Sequence, residues 1–449
     1  MRRLFGTDGI RAVAGDPPLD AKTIYAVGMA LAHQLRNDGA QPSILLGMDT
    51  RESGNWIAAV FSAGLKEAGA SVQSAGIITT PAIAYLARKH GFSAGVVISA
   101  SHNPWHDNGI KIFGGDGYKL PDATELRIEQ EIFRQLESVA APDPAMLSAP
   151  PVNEKFRADY EASLLSAVPN LALNGMKLVL DCANGAASAI APELFTRLGG
   201  TIHFTHIHPN GRNINADCGA LHPEIVAGET KAHHADLGIT FDGDADRALF
   251  ADANGKVVNG DAVLLLAARD LKLRGLLRGD TVVATTMSNM GLEAAFRRDA
   301  ITMLRAPVGD KYVLEMMQAN SASIGGEQSG HILFPHLATT GDGLLTALVV
   351  LDVIRRAGRP LHELIADLKV FPQVIVNVRV KEKKPLEAIP AIAASIRDAE
   401  EELKTNGRVV IRYSGTEPLA RVMIEAESEE AMRRHADAIA TAIRDALGA

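Results

Sequence analysis

The chain has 449 residues, too many for one hydrophobic core, and 47% of them are hydrophobic, enough for several packed domains. Its net charge of −8, from 45 basic and 53 acidic residues, argues against broad nucleic-acid binding but allows a local basic pocket for a small anion. Two cysteines, Cys182 and Cys218, with no Cys-x-x-Cys pair exclude a disulfide framework and a zinc ribbon, and fit a reduced, cytoplasmic protein. No signal peptide is read at the start, and the longest apolar run, Leu344 to Ile354, contains Asp352 and is too short to span a bilayer.

In chain order, Phe5-Gly6-Thr7-Asp8-Gly9-Ile10-Arg11 reads as a loop around one Arg. A helix follows from Asp20 to about Asn37, ended by Gly39. Ser43–Met48 reads as a strand, Ser53–Ala68 as a helix, and Val72–Ile78 as extended. Thr80-Pro81 opens another helix. The apolar run 94–98 reads as a buried strand, and Gly109–Phe113 as its return. Strands alternating with helices predict an α/β architecture. A helix over 122–138 leads into 140–151, where four prolines among small residues mark a linker and a domain boundary.

The rhythm then restarts. Strands are predicted at 177–181, 237–241, 281–285 and 301–305. Helices are predicted over 184–198 and 224–234, from Asp261, after Asn289, over 309–318 and over 342–355. The last section is a small α+β unit: an alternating strand at 373–380, a helix over 385–404, strands at 408–413 and 421–427, and a terminal helix.

Four stretches carry chemistry. Ser99-Ala100-Ser101-His102-Asn103-Pro104 follows a buried strand, and its proline forces the chain out of the sheet. Ser101 is a candidate nucleophile there, although a lone Ser is more often a cap. Asp242-Gly243-Asp244-Ala245-Asp246-Arg247 is the strongest signal. On a straight strand alternate residues lie ~6.6 Å apart, too far to share one small cation, so the segment must curl. Three close carboxylates repel unless a cation sits among them, and an all-oxygen set suits Mg²⁺. An EF-hand loop fails, since Arg247 stands where it needs Gly and Ala253 where it needs Glu.

Arg412-Tyr413-Ser414-Gly415-Thr416-Glu417-Pro418, with Arg421, offers hydroxyls, backbone N–H groups and guanidinium forks for a phosphate dianion, without a Walker pattern. Gly325-Gly326-Glu327-Gln328-Ser329-Gly330-His331 offers a carboxylate, an amide, a hydroxyl and an imidazole suited to vicinal sugar hydroxyls. For His203, His206, His208, His233 and His234 no paired spacing with carboxylates is read, and surface or capping roles are expected.

In this order the four stretches resemble the α-D-phosphohexomutase superfamily, from Phe5 to about Glu425. The opening Phe5–Arg11, Thr79-Thr80-Pro81-Ala82 and Gln328 are most similar to its bacterial glucosamine-phosphate branch. The resemblance implies an α/β protein: three α/β domains with mixed sheets plus a C-terminal α+β domain around a central cleft. The division expected is 1–150 with the phosphoserine loop, 151–257 with the metal loop, 258–370 with the sugar loop and 371–449 with the phosphate loop.

It further implies that Ser101 carries a phosphoryl group and that Asp242, Asp244 and Asp246 hold one Mg²⁺ per subunit, which also touches that phosphate. Glu327, Ser329 and His331 would select the sugar. Arg412, Ser414, Gly415, Thr416 and Arg421 would bind the non-reacting phosphate. Arg11, Lys111 and Arg247 would line the transfer site, with Lys111, His102 and Arg247 left unranked as proton handlers.

The implied reaction interconverts D-glucosamine 6-phosphate and α-D-glucosamine 1-phosphate through glucosamine 1,6-bisphosphate, feeding UDP-N-acetylglucosamine and cell-wall precursor synthesis. Alternatives are a phosphomannomutase/phosphoglucomutase, a metal-dependent phosphatase and a non-catalytic sugar-phosphate sensor. The expected partner is the phosphosugar, with no nucleic acid or membrane; a homodimer is left open. Ala12, Trp105 and Tyr413 depart from the family's usual residues, and none removes a reacting group.

Overall fold

A computed structural model describes residues 4–6, 8–36, 41–140, 142–414 and 418–448. The chain divides into two compact units, Met1–Thr286 with Arg305–Leu364, and Met287–Leu304 with Ile365–Ala449. The predicted helix end at Gly39 lies outside the described residues.

The first unit is built on two five-stranded sheets of the same design. In the first, Ile10–Val13, Asp107–Gly114, Ala94–Ile98, Ser43–Met48 and Ser71–Ile77 lie side by side in that order. In the second the order is Val257–Val258, Ala248–Asp252, Leu237–Phe241, Lys177–Asp181 and Thr201–Thr205. Each sheet has two antiparallel pairings followed by two parallel ones. Ala94–Ile98 and Leu237–Phe241 are wholly buried, which is why both read as unbroken apolar runs. A third sheet pairs Thr281–Thr285 parallel with Gly325–Gly326, which pairs antiparallel with Ile332–Leu333.

Helices pack on these sheets. Ala21–Leu35 starts where Asp20 accepts the Thr23 N–H at 3.1 Å, and its Ile24, Val27 and Leu31 join Ile44, Leu46, Phe61, Val96 and Ile98 in the first core. Gly343–Ala357 starts where Asp342 accepts the Leu345 N–H at 2.9 Å. The proline-rich segment 140–151 holds a short 3₁₀ turn, and its Leu147 and Ala149 pack on that first core.

Several elements differ from expectation. The opening stretch, expected to be a loop as far as Arg11, runs into the strand Ile10–Val13, which pairs with Asp107–Gly114, and the edge strand Thr201–Thr205 is likewise absent from the expected set. The helix over 184–198 is broken into a 3₁₀ turn, Ala186–Ala189, and a short helix, Ala191–Thr196, with Pro192 in its first turn. The helix Lys155–Ala167 was not read, because its buried face includes the polar Glu161 beside Phe156, Tyr160 and Leu164. The strand Ala248–Asp252, which returns from the acidic loop, was also missed.

In the second unit Gln373–Arg379, Leu419–Ala426 and Gly407–Tyr413 form an antiparallel sheet with Leu419–Ala426 in the centre. Val422 and Ile424 pack with Ile392 of the helix Pro390–Leu403 and with Ile439 and Ile443 of the helix Glu429–Leu447. Among the described residues, no helix is long and apolar enough to cross a membrane.

Candidate active site

Ser101 stands three residues past the end of the strand Ala94–Ile98, in a left-handed conformation (φ +52°) that non-glycine residues seldom adopt. Its side chain is buried, its Oγ donates to Asp242 Oδ2 at 2.5 Å, and His102 Nδ1 lies 3.2 Å away. The backbone is tied from below. Ser101 N–H donates to Ser99 Oγ at 2.9 Å, and Ser99 Oγ donates to Asp49 Oδ2 at 2.6 Å.

From the side, the buried Arg51 guanidinium donates to the carbonyls of Ser101 (2.9 Å), Asn103 (2.8 Å) and Asp107 (3.0 Å), and to that of Pro104. Asn215 Nδ2 donates to the same Ser101 and Asn103 carbonyls, at 2.9 and 3.0 Å. Neither Arg51 nor Asn215 was singled out from the sequence. A signal for Arg51 was present: Asp49-Thr50-Arg51 leaves the carboxyl end of the parallel strand next to that of Ser101, where open α/β sheets place their sites.

The acidic loop curls as its composition requires. Ala245 takes φ +55°, and one carboxylate oxygen from each of Asp242, Asp244 and Asp246 lies within 4.8 Å of the others, all three residues buried. Gly243 is needed for contact between the two turns, because a Cβ there would lie 2.4 Å from the Ser101 carbonyl oxygen. Thr80 Oγ1 donates to Asp244 Oδ2 at 2.5 Å, and Lys111 Nζ lies 2.7 Å from the same oxygen. Asp244 Oδ1 and Asp246 Oδ1 are buried with no hydrogen-bond partner among the described residues. Converging, partly unsatisfied carboxylate oxygens are the donor set a hard divalent cation takes, so the residues fit such an ion.

Charge sorts these groups. Burial, then the neighbouring Asp246 and Asp244, push the Asp242 carboxyl well above its usual value. Burial acts upward on Asp246 too, but Lys111, His331 and Arg247 outweigh it and hold that carboxyl well below. Burial would lower Lys111, yet Asp244, Asp8 and Asp246 keep it charged well above the usual lysine value. His102 is pushed down to about 4 by burial and by Arg247 and Arg11. Arg247 donates its backbone N–H to Asp242 Oδ1 at 3.2 Å, with Nε 3.7 Å from Asp246 Oδ1. Arg11 reaches the group through Asp8, which accepts its guanidinium at 2.5 Å and lies 2.9 Å from Lys111 Nζ.

The glycine-rich loop lies in the same unit. Glu327 and His331 close a tight turn, Glu327 N–H to His331 O at 2.9 Å, and Glu327 Oε1 accepts the Gly309 N–H at 3.0 Å. Gln328 Nε2 donates to Asp261 Oδ2 at 3.2 Å, and Ser329 is half-buried. His331 is only 3% exposed: Nδ1 lies 3.7 Å from Asp246 Oδ1, and Nε2 lies 3.5 Å from Asp310 Oδ2. Burial would lower it, but Asp246, Asp310 and Glu327 push it up to about 9. Asp310 pairs with Lys119 at 2.7 Å, and Lys119 with Asp8 at 2.7 Å. Asp8, Lys111, Asp246, His331, Asp310 and Lys119 thus form a ring of alternating charge.

Ser101, His102, Lys111, the three aspartates, Arg247, Arg11, Glu327, Ser329 and His331 all belong to the first unit. Arg412, Ser414 and Arg421 belong to the second, and Gly415 and Thr416 lie outside the described residues. Arg412 stands directly opposite Arg421 across the antiparallel pair Gly407–Tyr413 and Leu419–Ala426. Like charges directly opposite are destabilising, and a bound anion would offset the repulsion.

The comparisons with known proteins cover the whole of this arrangement. Models of phosphoglucomutase/phosphomannomutase match in sequence: alpha/beta/alpha domain I at residues 2–138, domain II at 158–255, domain III at 259–371 and the C-terminal domain at 375–442. The chain belongs to the phosphoglucomutase/phosphomannomutase family. This bears out the resemblance carried by the four stretches and the multi-domain α/β class. As a member of the phosphoglucomutase/phosphomannomutase family it is a mutase, an isomerase by class.

The relative from Koribacter versatilis (strain Ellin345), named phosphoglucosamine mutase, is 59% identical over 100% of this chain and 98% of its own. A phosphoglucomutase/phosphomannomutase family protein from Burkholderia thailandensis shares the fold, with a TM-score of 0.78 at 24% identity over 98% of this chain and 97% of that one. Aspergillus fumigatus N-acetylphosphoglucosamine mutase, solved in complex with GlcNAc-6P and magnesium, has a TM-score of 0.63 at 18% identity, covering 99% and 96%.

Proposed function

We propose that this family member interconverts D-glucosamine 6-phosphate and α-D-glucosamine 1-phosphate, with Ser101 as the phosphoryl carrier. The observation that carries the reading is the Ser101 Oγ, held 2.5 Å from Asp242 inside a buried cluster of three carboxylates. The glucosamine specificity is supported by the 59% identity to a full-length relative of that name.

In the cycle we envisage, phosphorylated Ser101 gives its phosphoryl group to one sugar oxygen, leaving a bound 1,6-bisphosphate. That intermediate turns over, and its other phosphate returns to Ser101. Asp242, Asp244 and Asp246 would hold a Mg²⁺ ion, whose positive charge, when bound, would act against the negative charge of the phosphoryl oxygens. The chain's own cations add to it: Lys111 and Arg247 stay protonated, so they neutralise charge on the group in flight. Glu327 and Ser329 would hold the sugar hydroxyls. Because His331 is buried between Asp246 and Asp310, its part is to orient the loop from beneath. Arg412, Ser414, Gly415, Thr416 and Arg421 would hold whichever phosphate is not reacting.

The reading assigns these parts to four domains, 1–150, 151–257, 258–370 and 371–449. It places the protein in the cytoplasm, with homodimer formation open to measurement by light scattering.

The test is intact mass and peptide mapping after incubation with glucosamine 1,6-bisphosphate, with Ser101→Ala in parallel. One added phosphoryl group on the Ser101 peptide of the parent, and a folded, inactive Ser101→Ala protein, are expected. A phosphorylated residue elsewhere, or substantial mutase activity in Ser101→Ala, would overturn the carrier assignment. Competing glucosamine, mannose and glucose 6-phosphates decides the sugar; a larger kcat/KM for mannose or glucose would make the chain a phosphomannomutase/phosphoglucomutase in substrate as well as family.

A further inference from the structure

We propose that His203, Glu229 and His233 form a second metal site, remote in kind from the acidic cluster and suited to a divalent transition metal such as Zn²⁺. The sequence expectation gave these histidines surface or capping roles and found no carboxylate paired with them. The chain fold supplies the pairing. His203 lies on the edge strand Thr201–Thr205, in register with Val179 of the neighbouring parallel strand. Laterally paired residues face the same side of a sheet. Val179 packs against Val226 and Ala227 of the helix Pro223–Ala232, so His203 turns toward that helix. Glu229 lies three residues beyond Val226, and His233 four beyond Glu229, which is the spacing of neighbours on one helical face.

The three side chains meet. One nitrogen from each histidine and one Glu229 oxygen all lie within 4.8 Å of one another. His233 Nε2 is 3.2 Å from Glu229 Oε2, and the two imidazole rings lie 3.9 Å apart between centroids at 28°. Two imidazoles and a carboxylate are a donor set that zinc takes, with a fourth position filled by water. Mg²⁺, which demands oxygen donors, is poorly served by it. The side chains of His233 and Glu229 are 44% and 41% exposed, so an ion and its water can enter without rearrangement of the core.

A third cluster, Asp181, His206 and Cys218, is the contrasting case. Both Asp181 oxygens are already occupied, Oδ1 by Ala183 N–H and His206 Nδ1, Oδ2 by Gly219 N–H and Thr240 Oγ1. Burial also pushes the Cys218 thiol up to about 12, away from the thiolate a metal needs. That cluster is a hydrogen-bonded knot; the histidine pair with Glu229 is the open one. An ion there would tie the edge strand to the end of the helix and stabilise the folded form.

The experiment titrates Zn²⁺ into the full chain by calorimetry in excess Mg²⁺, which fills the all-oxygen cluster, and repeats it with Co²⁺ for its visible spectrum. One Zn²⁺ equivalent and tetrahedral Co²⁺ bands are expected. His203→Ala and His233→Ala should each weaken binding by about 100-fold or more, since losing even an outer-shell partner costs roughly 10–100-fold. Both variants should keep parental circular dichroism and mutase activity. Zn²⁺ binding of equal affinity and stoichiometry in parent and variants, or no Zn²⁺ binding in excess Mg²⁺, would overturn the proposal.

Discussion

Asn215 offers a clean test of how the Ser101 turn is held. The orientation of its amide is settled by its neighbours: both groups facing Nδ2, the Ser101 and Asn103 carbonyls at 2.9 and 3.0 Å, can only accept. Asn215 itself has φ +58°, a conformation Asp tolerates as well as Asn, so Asn215→Asp changes the donor without new backbone strain. Two neutral hydrogen bonds, worth about 0.5–1.5 kcal/mol each, would be lost. A carboxylate oxygen would instead face two carbonyls, adding about 1–2 kcal/mol in the same direction.

Arg51 still holds both carbonyls, so the fold should survive and the loss should fall on the left-handed Ser101 turn. About 2–5 kcal/mol of misplacement in the transition state is roughly a 30-fold to 5,000-fold drop in kcat. KM for glucosamine 6-phosphate should be unchanged, because Asn215 points at the backbone and not at the sugar. Steady-state kinetics together with thermal unfolding read both quantities. A kcat within about threefold of the parent, alongside a lowered Tm, would refute the reasoning: the amide would then support the fold and not the geometry of the carrier.

Three further outcomes follow from individual contacts. Arg412→Ala should raise KM for the phosphosugar strongly while leaving Mg²⁺ affinity and Tm near parental values, because Arg412 is an exposed residue directly opposite Arg421 in the second unit; equal losses of substrate and metal binding would misplace the phosphate site. Burial raises the Asp342 carboxyl from 3.8 to about 6, so the folded state holds that proton more tightly than the unfolded one and stability declines as pH rises between those values. Asp342→Asn keeps an oxygen for the Leu345 N–H, so it should raise Tm at pH 8 and leave it unchanged near pH 4; equal shifts at both would contradict the linkage. Mg²⁺ should raise the Tm of the parent, and Asp242→Asn should lose that shift; an undiminished Mg²⁺ shift would place the ion elsewhere.

Much of the site could be read from the sequence because its chemistry is written in short runs after apolar strands. Ser101 follows Ile98, and Asp242 follows Phe241, so a buried strand announces each turn. What could not be read is whatever joins runs far apart. Arg51 reaches a carbonyl 50 residues on, Asn215 one 114 residues back, and Thr80 an aspartate 164 residues on. His331 was expected to face the sugar with Glu327. Its burial follows from Asp310 and Asp246, which two other segments deliver to either side of the ring. His203 and Glu229 are likewise joined only when the strand Thr201–Thr205 takes the sheet edge.

The recurrence of one pattern along the chain, visible in the sequence only as a rhythm, has a structural meaning. The Ser101 turn and the acidic turn occupy the same place in two sheets of identical design: after the last parallel strand and before the antiparallel return. Each turn holds one non-glycine residue in the left-handed region, Ser101 at φ +52° and Ala245 at φ +55°, at about 1–2 kcal/mol apiece. Such strain persists only where the surroundings over-determine it. Here each turn is part of the other's surroundings: Gly243 lies against the Ser101 carbonyl, and Asp242 accepts the Ser101 hydroxyl. The Ser101 turn and the acidic turn, built this way, form as one object, which is why a change in Asn215, distant in sequence from both, should be felt in the proposed chemistry.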